Sequence, residues 1–192
     1  MDFDLEDQHR MVQRMVHDFA QREAAPYIRE WDRQQAMDPA ILRRMGELGI
    51  LGICLPAAHG GQGMDYISLG LACEELEAVD TSLRVVMSVH VGLNSLGLLQ
   101  WATEEQQRVY LDPQARGEKL GGFCLTEPGA GSDVAALTAS ARRVGSDYIL
   151  NGEKMWISLA SRADQFLWFA RTNPEAPDPH DGLTAFLLEA DR

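Results

Sequence analysis

Basic residues are scarce in this 192-residue chain: 17 Lys and Arg stand against 29 Asp and Glu, a net charge of −12. No basic stripe is present, so a nucleic-acid backbone would be repelled rather than neutralised, and nucleic-acid binding is excluded. Cysteine is equally sparse. Cys54, Cys73 and Cys124 lie far apart in sequence, show no C-x-x-C spacing and sit among apolar neighbours, which reads as buried free thiols. The five histidines form no H-x-x-x-H or H-x-H pair, so no metal site is expected. The apolar stretch 85–99 is interrupted by Ser88, His90, Asn94 and Ser95, and falls short of the roughly 18 unbroken apolar residues of a membrane span. The opening MDFDLEDQHR is acidic and lacks the positive start and apolar region of a secretory leader, so a cytoplasmic location is expected.

What is present suits a folded core. The chain is 45% hydrophobic, and its length fits one large domain or two small ones. Over residues 5–19, Leu5, Val12, Met15, Val16 and Phe19 recur at helical spacing with charges between them, and Ala24-Ala25-Pro26 closes or kinks that helix. Asp38-Pro39 supplies an N-cap followed by a first-turn proline. The stripe Ile41, Leu42, Met45 and Leu48 follows, and Gly49 is the left-handed stop. Beyond a glycine-rich turn at 60–63, helices are predicted over 66–78 and 82–101. Thr103 and Gln106 form a capping box that opens a helix toward Leu111.

Near Gly117 the pattern changes. Residues 120–126, 137–144, 148–150, 155–158, 165–170 and 183–189 read as short strands, with Gly145-Ser146-Asp147 and Asn151-Gly152 as hairpin punctuation and the proline-rich stretch 172–182 as a surface loop. The expected fold is α+β: an all-α N-terminal bundle over 1–117, then an antiparallel β-barrel or sandwich over 118–192. The last predicted strand runs almost to residue 192 and would expose an unpaired edge, so the β-domain is expected to be incomplete.

Two stretches stand out within the β part, FCLTEPGAGSD at 123–133 and NGEKMWIS at 151–158. Together with EELEAVDTS at 74–82, TEEQQRVYL at 103–111 and the helical-then-β order, they resemble the acyl-CoA dehydrogenase family. The resemblance implies FAD as cofactor, with contacts at Phe123, Cys124, Leu125, Thr126, Gly131, Ser132, Trp156, Ile157 and Ser158, and places Ser132 also beside the acyl-CoA chain. These residue types suit a flavin. Backbone NH groups near Gly131 and Ser132 can meet a pyrophosphate, Thr126 can meet the polar ring edge, and Trp156 offers a flat apolar face. Ser158 stands where the family commonly has Thr and keeps a hydroxyl; Leu159-Ala160 departs from the Asn-Gly often found there.

The reaction implied is α,β-dehydrogenation of an acyl-CoA thioester, with an electron-transferring flavoprotein as acceptor and a homodimer or homotetramer as the assembly. The family's catalytic base comes from a C-terminal helical domain that is absent from these residues, so no catalytic residue is assigned. Glu127 reads as scaffold before base. The run VDTSLRVVMSVH, 79–90, is similar to the region of glutaryl-CoA dehydrogenases that receives a distal carboxylate. Arg84 and Ser88 occupy the two receiving positions, against the plainer reading of Arg84 as the surface partner of an acidic helix neighbour. Two alternatives stay open: a non-catalytic fragment or assembly module needing a partner chain, and a flavin oxidase or monooxygenase on the same scaffold.

Overall fold

Val12, Val16 and Phe19 recur at helical spacing and are all buried, forming the inner face of α1 (Asp7–Phe19). In this computed structural model, which describes residues 4–190, α1 is clipped to α4 (Tyr66–Glu77) by polar pairs. His9 Nε2 lies 2.8 Å from Asp65, Gln13 donates to Glu75 at 3.0 Å, and His17 Nδ1 lies 2.9 Å from Glu75. The three side chains are spaced four residues apart on one helix face. Asp65 also accepts from the Ser68 NH at 2.8 Å and so caps α4. The Ser68 NH first, then His9, holds the Asp65 carboxyl down at about 2.

Past Phe19 the helix widens into a π turn, Ala20–Ala24, with the Ala25 NH donating to the Ala20 carbonyl at 2.9 Å. Ala24-Ala25-Pro26 then closes it as expected. A short helix the periodicity did not predict follows, α2 (Ile28–Gln34); it has no buried residue, so no apolar stripe marks it. Helix α3 (Pro39–Glu47) has both predicted ends: Asp38 accepts from the Ala40 NH at 2.9 Å, and Gly49 takes a φ of 74°.

Helix α5 (Thr81–Val86) runs through a π segment, Met87–Ser95, into α6 (Leu96–Trp101). Within the resulting 21-residue helix an 18-residue window has a mean hydropathy of 1.3, long and apolar enough by length and composition to cross a membrane, a test that a buried core helix also passes. The run is still interrupted at Ser88, His90, Asn94 and Ser95; a window average tolerates polar interruptions that an unbroken run does not. Those interruptions are hydrogen-bonded within the helical unit. His90, Asn94, Ser95 and Gln114 are all 0% exposed. Ser95 donates to the His90 carbonyl at 2.7 Å, and the Gln114 amide donates to Asn94 at 2.8 Å. Half of the apolar window is buried against protein. Helix α7 (Glu104–Gln106) opens with the predicted reciprocal Thr103–Gln106 capping box and continues through a π turn, Gln107–Leu111, into α8 (Asp112–Ala115).

These helices make one compact unit, Met1–Lys119, and the strands make a second, Leu120–Arg192. The second unit holds β1 (Gly121–Cys124), β2 (Ser140–Val144), β3 (Asp147–Asn151), β4 (Gln165–Arg171) and β5 (Leu183–Glu189). The expected antiparallel barrel or sandwich is corrected to an open, mixed sheet. Strand β4 pairs antiparallel with β5 along its full length. Its other edge pairs in parallel with β1, from Gly121↔Gln165 to Cys124↔Trp168, and then with the start of β2 at Ser140↔Arg171. Hairpins require short connections, and only β2–β3 has a two-residue one, Gly145-Ser146, with glycine at φ 64°. The long passage from β1 to β4 is a crossover, which is what a parallel pair needs.

Two further expectations fail locally. Asn151-Gly152 is no hairpin turn: Asn151 ends β3 and the chain runs on toward residues 125–127, with Gly152 at φ 146° and so close to the chain entering β2 that a Cβ there would sit 2.6 Å from the Ala139 Cβ. Residues 155–158 are no strand. Of the three thiols only Cys124 is buried, and burial pushes it up to about 11; Cys54 and Cys73 are half-buried.

Because the Asp38 side chain caps α3, Asp38→Ala is expected to destabilise the helical unit by about 1 kcal/mol, read from a urea unfolding midpoint at unchanged slope.

Candidate functional site

The segment that leaves β1 carries the first of the two conspicuous stretches. Phe123 packs its ring against Phe169 of β4, centroids 5.0 Å apart, and Cys124, the last residue of β1, is buried. The chain then turns at Pro128-Gly129, closed by the Glu127 NH donating to Ala130 O at 2.9 Å and the Ala130 NH donating back at 3.2 Å. Neither Gly129 nor Gly131 has left-handed backbone, and a Cβ on either would meet no atom within 4 Å. Neither the turn nor the packing of the unit requires these two glycines. What they leave is bare backbone next to open space.

Glu127 is 5% exposed and saturated with donors. The Thr138 NH and hydroxyl each donate at 2.7 Å, the Ala139 NH at 2.9 Å and Lys154 Nζ at 2.8 Å. Burial alone would raise its pKa; Lys154 and the Thr138 and Ala139 donors outweigh burial and hold the carboxyl at about 2. A carboxylate so engaged cannot take a proton from carbon at neutral pH, which fits its reading as scaffold.

The Lys154 side chain is 2% exposed and brings the second stretch against the first. Its ammonium donates to Leu125 O at 3.0 Å and to Glu127, and lies 5.5 Å from the centre of the Trp168 ring. One residue on, the Met155 NH donates to Thr126 O at 2.8 Å. Trp156 follows with a φ of 59° and 86% of its surface exposed, and Leu159 has a φ of 64°. A left-handed conformation costs a residue with a Cβ about 1–3 kcal/mol, and such residues cluster at functional sites. The segment is fixed beyond them by a tight turn in which the Arg162 and Ala163 NH groups both donate to Leu159 O at 2.8 Å.

The residues assigned from the resemblance thus lie on two segments of one unit that are bonded to each other: Phe123 to Ser132 on the first, Trp156 to Ser158 on the second. Thr126, Ile157 and Ser158 are half-buried and Gly131 and Ser132 exposed. No hydrogen bond engages the Thr126, Ser132 or Ser158 hydroxyls among the described residues. Sequence reasoning missed Lys154 and underrated how tightly Glu127 is held. Arg84 and Ser88 belong to the helical unit. Arg84 Nη1 donates to Ser88 at 3.0 Å, and its Nε to Glu77 at 2.6 Å, so the two candidate residues meet and the guanidinium already has a carboxylate.

Residues 6–118 match the family described as "Acyl-CoA dehydrogenase, N-terminal domain" and residues 122–192 match "Acyl-CoA dehydrogenase, middle domain". The chain belongs to the acyl-CoA dehydrogenase family. It is 35% identical over 179 residues to an acyl-CoA dehydrogenase of Bacillus subtilis (strain 168), covering 93% of this chain and 47% of that one. Butyryl-CoA dehydrogenase of Megasphaera elsdenii superposes with a TM-score of 0.93 at 35% identity, over 98% of this chain and 50% of the other. A glutaryl-CoA dehydrogenase of Mycobacterium smegmatis, in complex with FADH2, gives 0.90 at 35%, over 97% and 46%. The chain spans about half the length of the curated relatives it matches.

Removing one partner of the buried pair strands the other, so Glu127→Ala is expected to destabilise the sheet unit by about 3–5 kcal/mol, measured by denaturant unfolding. The acid limb gives an independent test. The carboxyl's usual value is 4.5 and its folded value about 2, so its stabilisation is complete above 4.5 and is lost as pH falls toward 2. Glu127→Gln should flatten the loss of stability across that window.

Proposed function

We propose that the sheet unit is the flavin-binding part of an acyl-CoA dehydrogenase, with FAD lying against the two bonded segments. The observation that carries the reading is Trp156: a large apolar side chain held 86% exposed by a left-handed backbone, immediately after the rung that joins its segment to Thr126. Trp101 is nearly as exposed, at 79%, so it is the left-handed backbone beside the inter-segment rung that sets Trp156 apart, and its flat ring suits a planar cofactor. The bare backbone at Gly129 and Gly131 and the unengaged hydroxyls of Thr126, Ser132 and Ser158 are consistent with a polar, anionic ligand approaching closely.

In this reading the main-chain groups of Leu125 and Thr126 and the hydroxyls of Thr126 and Ser158 orient the ring edge, Trp156 and Ile157 shield its face from water, and Gly131 and Ser132 hold the phosphates. FAD, when bound, supplies the hydride acceptor for α,β-dehydrogenation of an acyl-CoA thioester. Ser132 also borders the acyl chain. None of the assigned residues acts as base; Glu127 is committed to structure. The proposed acceptor of the electrons is an electron-transferring flavoprotein, the proposed assembly a homodimer or homotetramer, and the proposed location the cytoplasm.

An acyl group without a distal carboxylate is the first choice of substrate, because such a carboxylate would have to compete with Glu77 for Arg84. The 3.0 Å Arg84–Ser88 contact is the one feature favouring a dicarboxylyl-CoA. Arg84→Met should raise KM for a dicarboxylyl-CoA selectively if that second reading holds.

On the complete polypeptide the cell makes, FAD titrated into apoprotein should bind with quenched flavin fluorescence, and acyl-CoA should bleach the flavin and yield enoyl-CoA without peroxide. Trp156→Ala should weaken FAD at least about tenfold, about 1.4 kcal/mol, with unfolding stability unchanged. A complete protein that ignores FAD, or a Trp156→Ala variant that binds it as wild type does, would sink the proposal.

A further inference from the structure

We infer that Lys154 is a positioning residue that locks the two proposed flavin-binding segments into register in the protein without cofactor, so that Trp156 is aimed before FAD arrives. Its functional meaning rests on the flavin reading; the lock itself stands on the chain's own bonds. The ammonium reaches three separate parts of the unit: the Leu125 carbonyl just past β1, the Glu127 carboxylate in the turn, and the Trp168 face on β4. A compact ammonium on a flexible stem, with three rotatable donors, can serve all three.

Glu127 is itself fixed by the Thr138 and Ala139 NH groups, at the root of β2. Through Lys154 the rigid start of a strand is therefore coupled to residues 154–156. The Met155–Thr126 rung, at 2.8 Å, is the next bond along. With its side chain 86% exposed, Trp156 has little packing of its own to orient it. Backbone restraint on each side supplies the orientation: the Met155 rung before it, and after it the turn closed by Ala160 NH donating to Ile157 O at 3.2 Å and by the two donors to Leu159 O. A ligand that meets prearranged groups avoids the entropy of ordering them.

The test uses Lys154→Met and the double variant Lys154→Met/Glu127→Gln, the second removing both charges so that no carboxylate is left stranded in the interior. Amide hydrogen exchange is read first, on wild type and variants without FAD. The Met155 amide is expected to exchange at least about tenfold faster in the double variant while the amides of β4 and β5 keep their protection. FAD affinity, read by titration, should fall at least about tenfold in the same variant. Unchanged Met155 exchange in a variant with β4 and β5 protected overturns the lock, whatever FAD does. Lost protection in β4 and β5 as well makes Lys154 a folding residue and overturns its positioning role. Faster Met155 exchange in a protein whose wild type takes no FAD upholds the lock and overturns only the flavin reading.

Discussion

An ammonium and a carboxylate, each almost entirely removed from water, meet at 2.8 Å beneath the turn of the sheet unit. Each ion gives up several kcal/mol of hydration on burial, and the pair is tolerable only if the remaining donors and acceptors are satisfied as well. Here they are. Glu127 has four donors, and Lys154 adds a carbonyl and an aromatic face to its carboxylate. Much of the local irregularity of the unit follows from meeting that demand.

Strand β2 begins at Ser140 and not at Leu137 because the NH groups of Thr138 and Ala139 point at Glu127 instead of a neighbouring strand. The chain does not turn back at Asn151-Gly152, and so carries Lys154 on to residues 125 and 127; Gly152 lets that backbone pass close over Ala139. With 152–164 committed to this passage, the next strand returns beside β1 in parallel, and an open mixed sheet replaces the expected barrel.

This explains which parts of the fold were legible in the sequence. Helix α3 was readable at both ends because Asp38 and Gly49 act within a few residues of themselves. The Thr103–Gln106 capping box and the Gly145-Ser146 hairpin were readable for the same reason. Helix α2 was invisible because it buries nothing, and the π segments because an extra residue per turn leaves no mark in composition. Residues 155–158 have strand-like composition, but a tertiary lock overrides that propensity. The family resemblance singled out residues that do lie on two joined segments. The joint itself was hidden: a lysine in a polar run reads as solvated, and burial of Lys154 depends on Glu127, 27 positions away.

The left-handed residues extend the same reasoning. Trp156 and Leu159 are the only non-glycine residues with positive φ among the described residues of the sheet unit. Holding a tryptophan both in that conformation and out of the core is unfavourable twice over, through backbone strain and through apolar surface left in water. No chain settles there by default. The bonds to Thr126 and Leu159 and the buried pair behind them make it the conformation of lowest free energy for this segment. The inference runs from the outlier to its use. If planar ligand covers the indole, the exposed surface is recovered on binding and the strain becomes part of a prepared site. Without such a ligand, the interior ion pair, the rung and the turn would all serve to display one exposed ring.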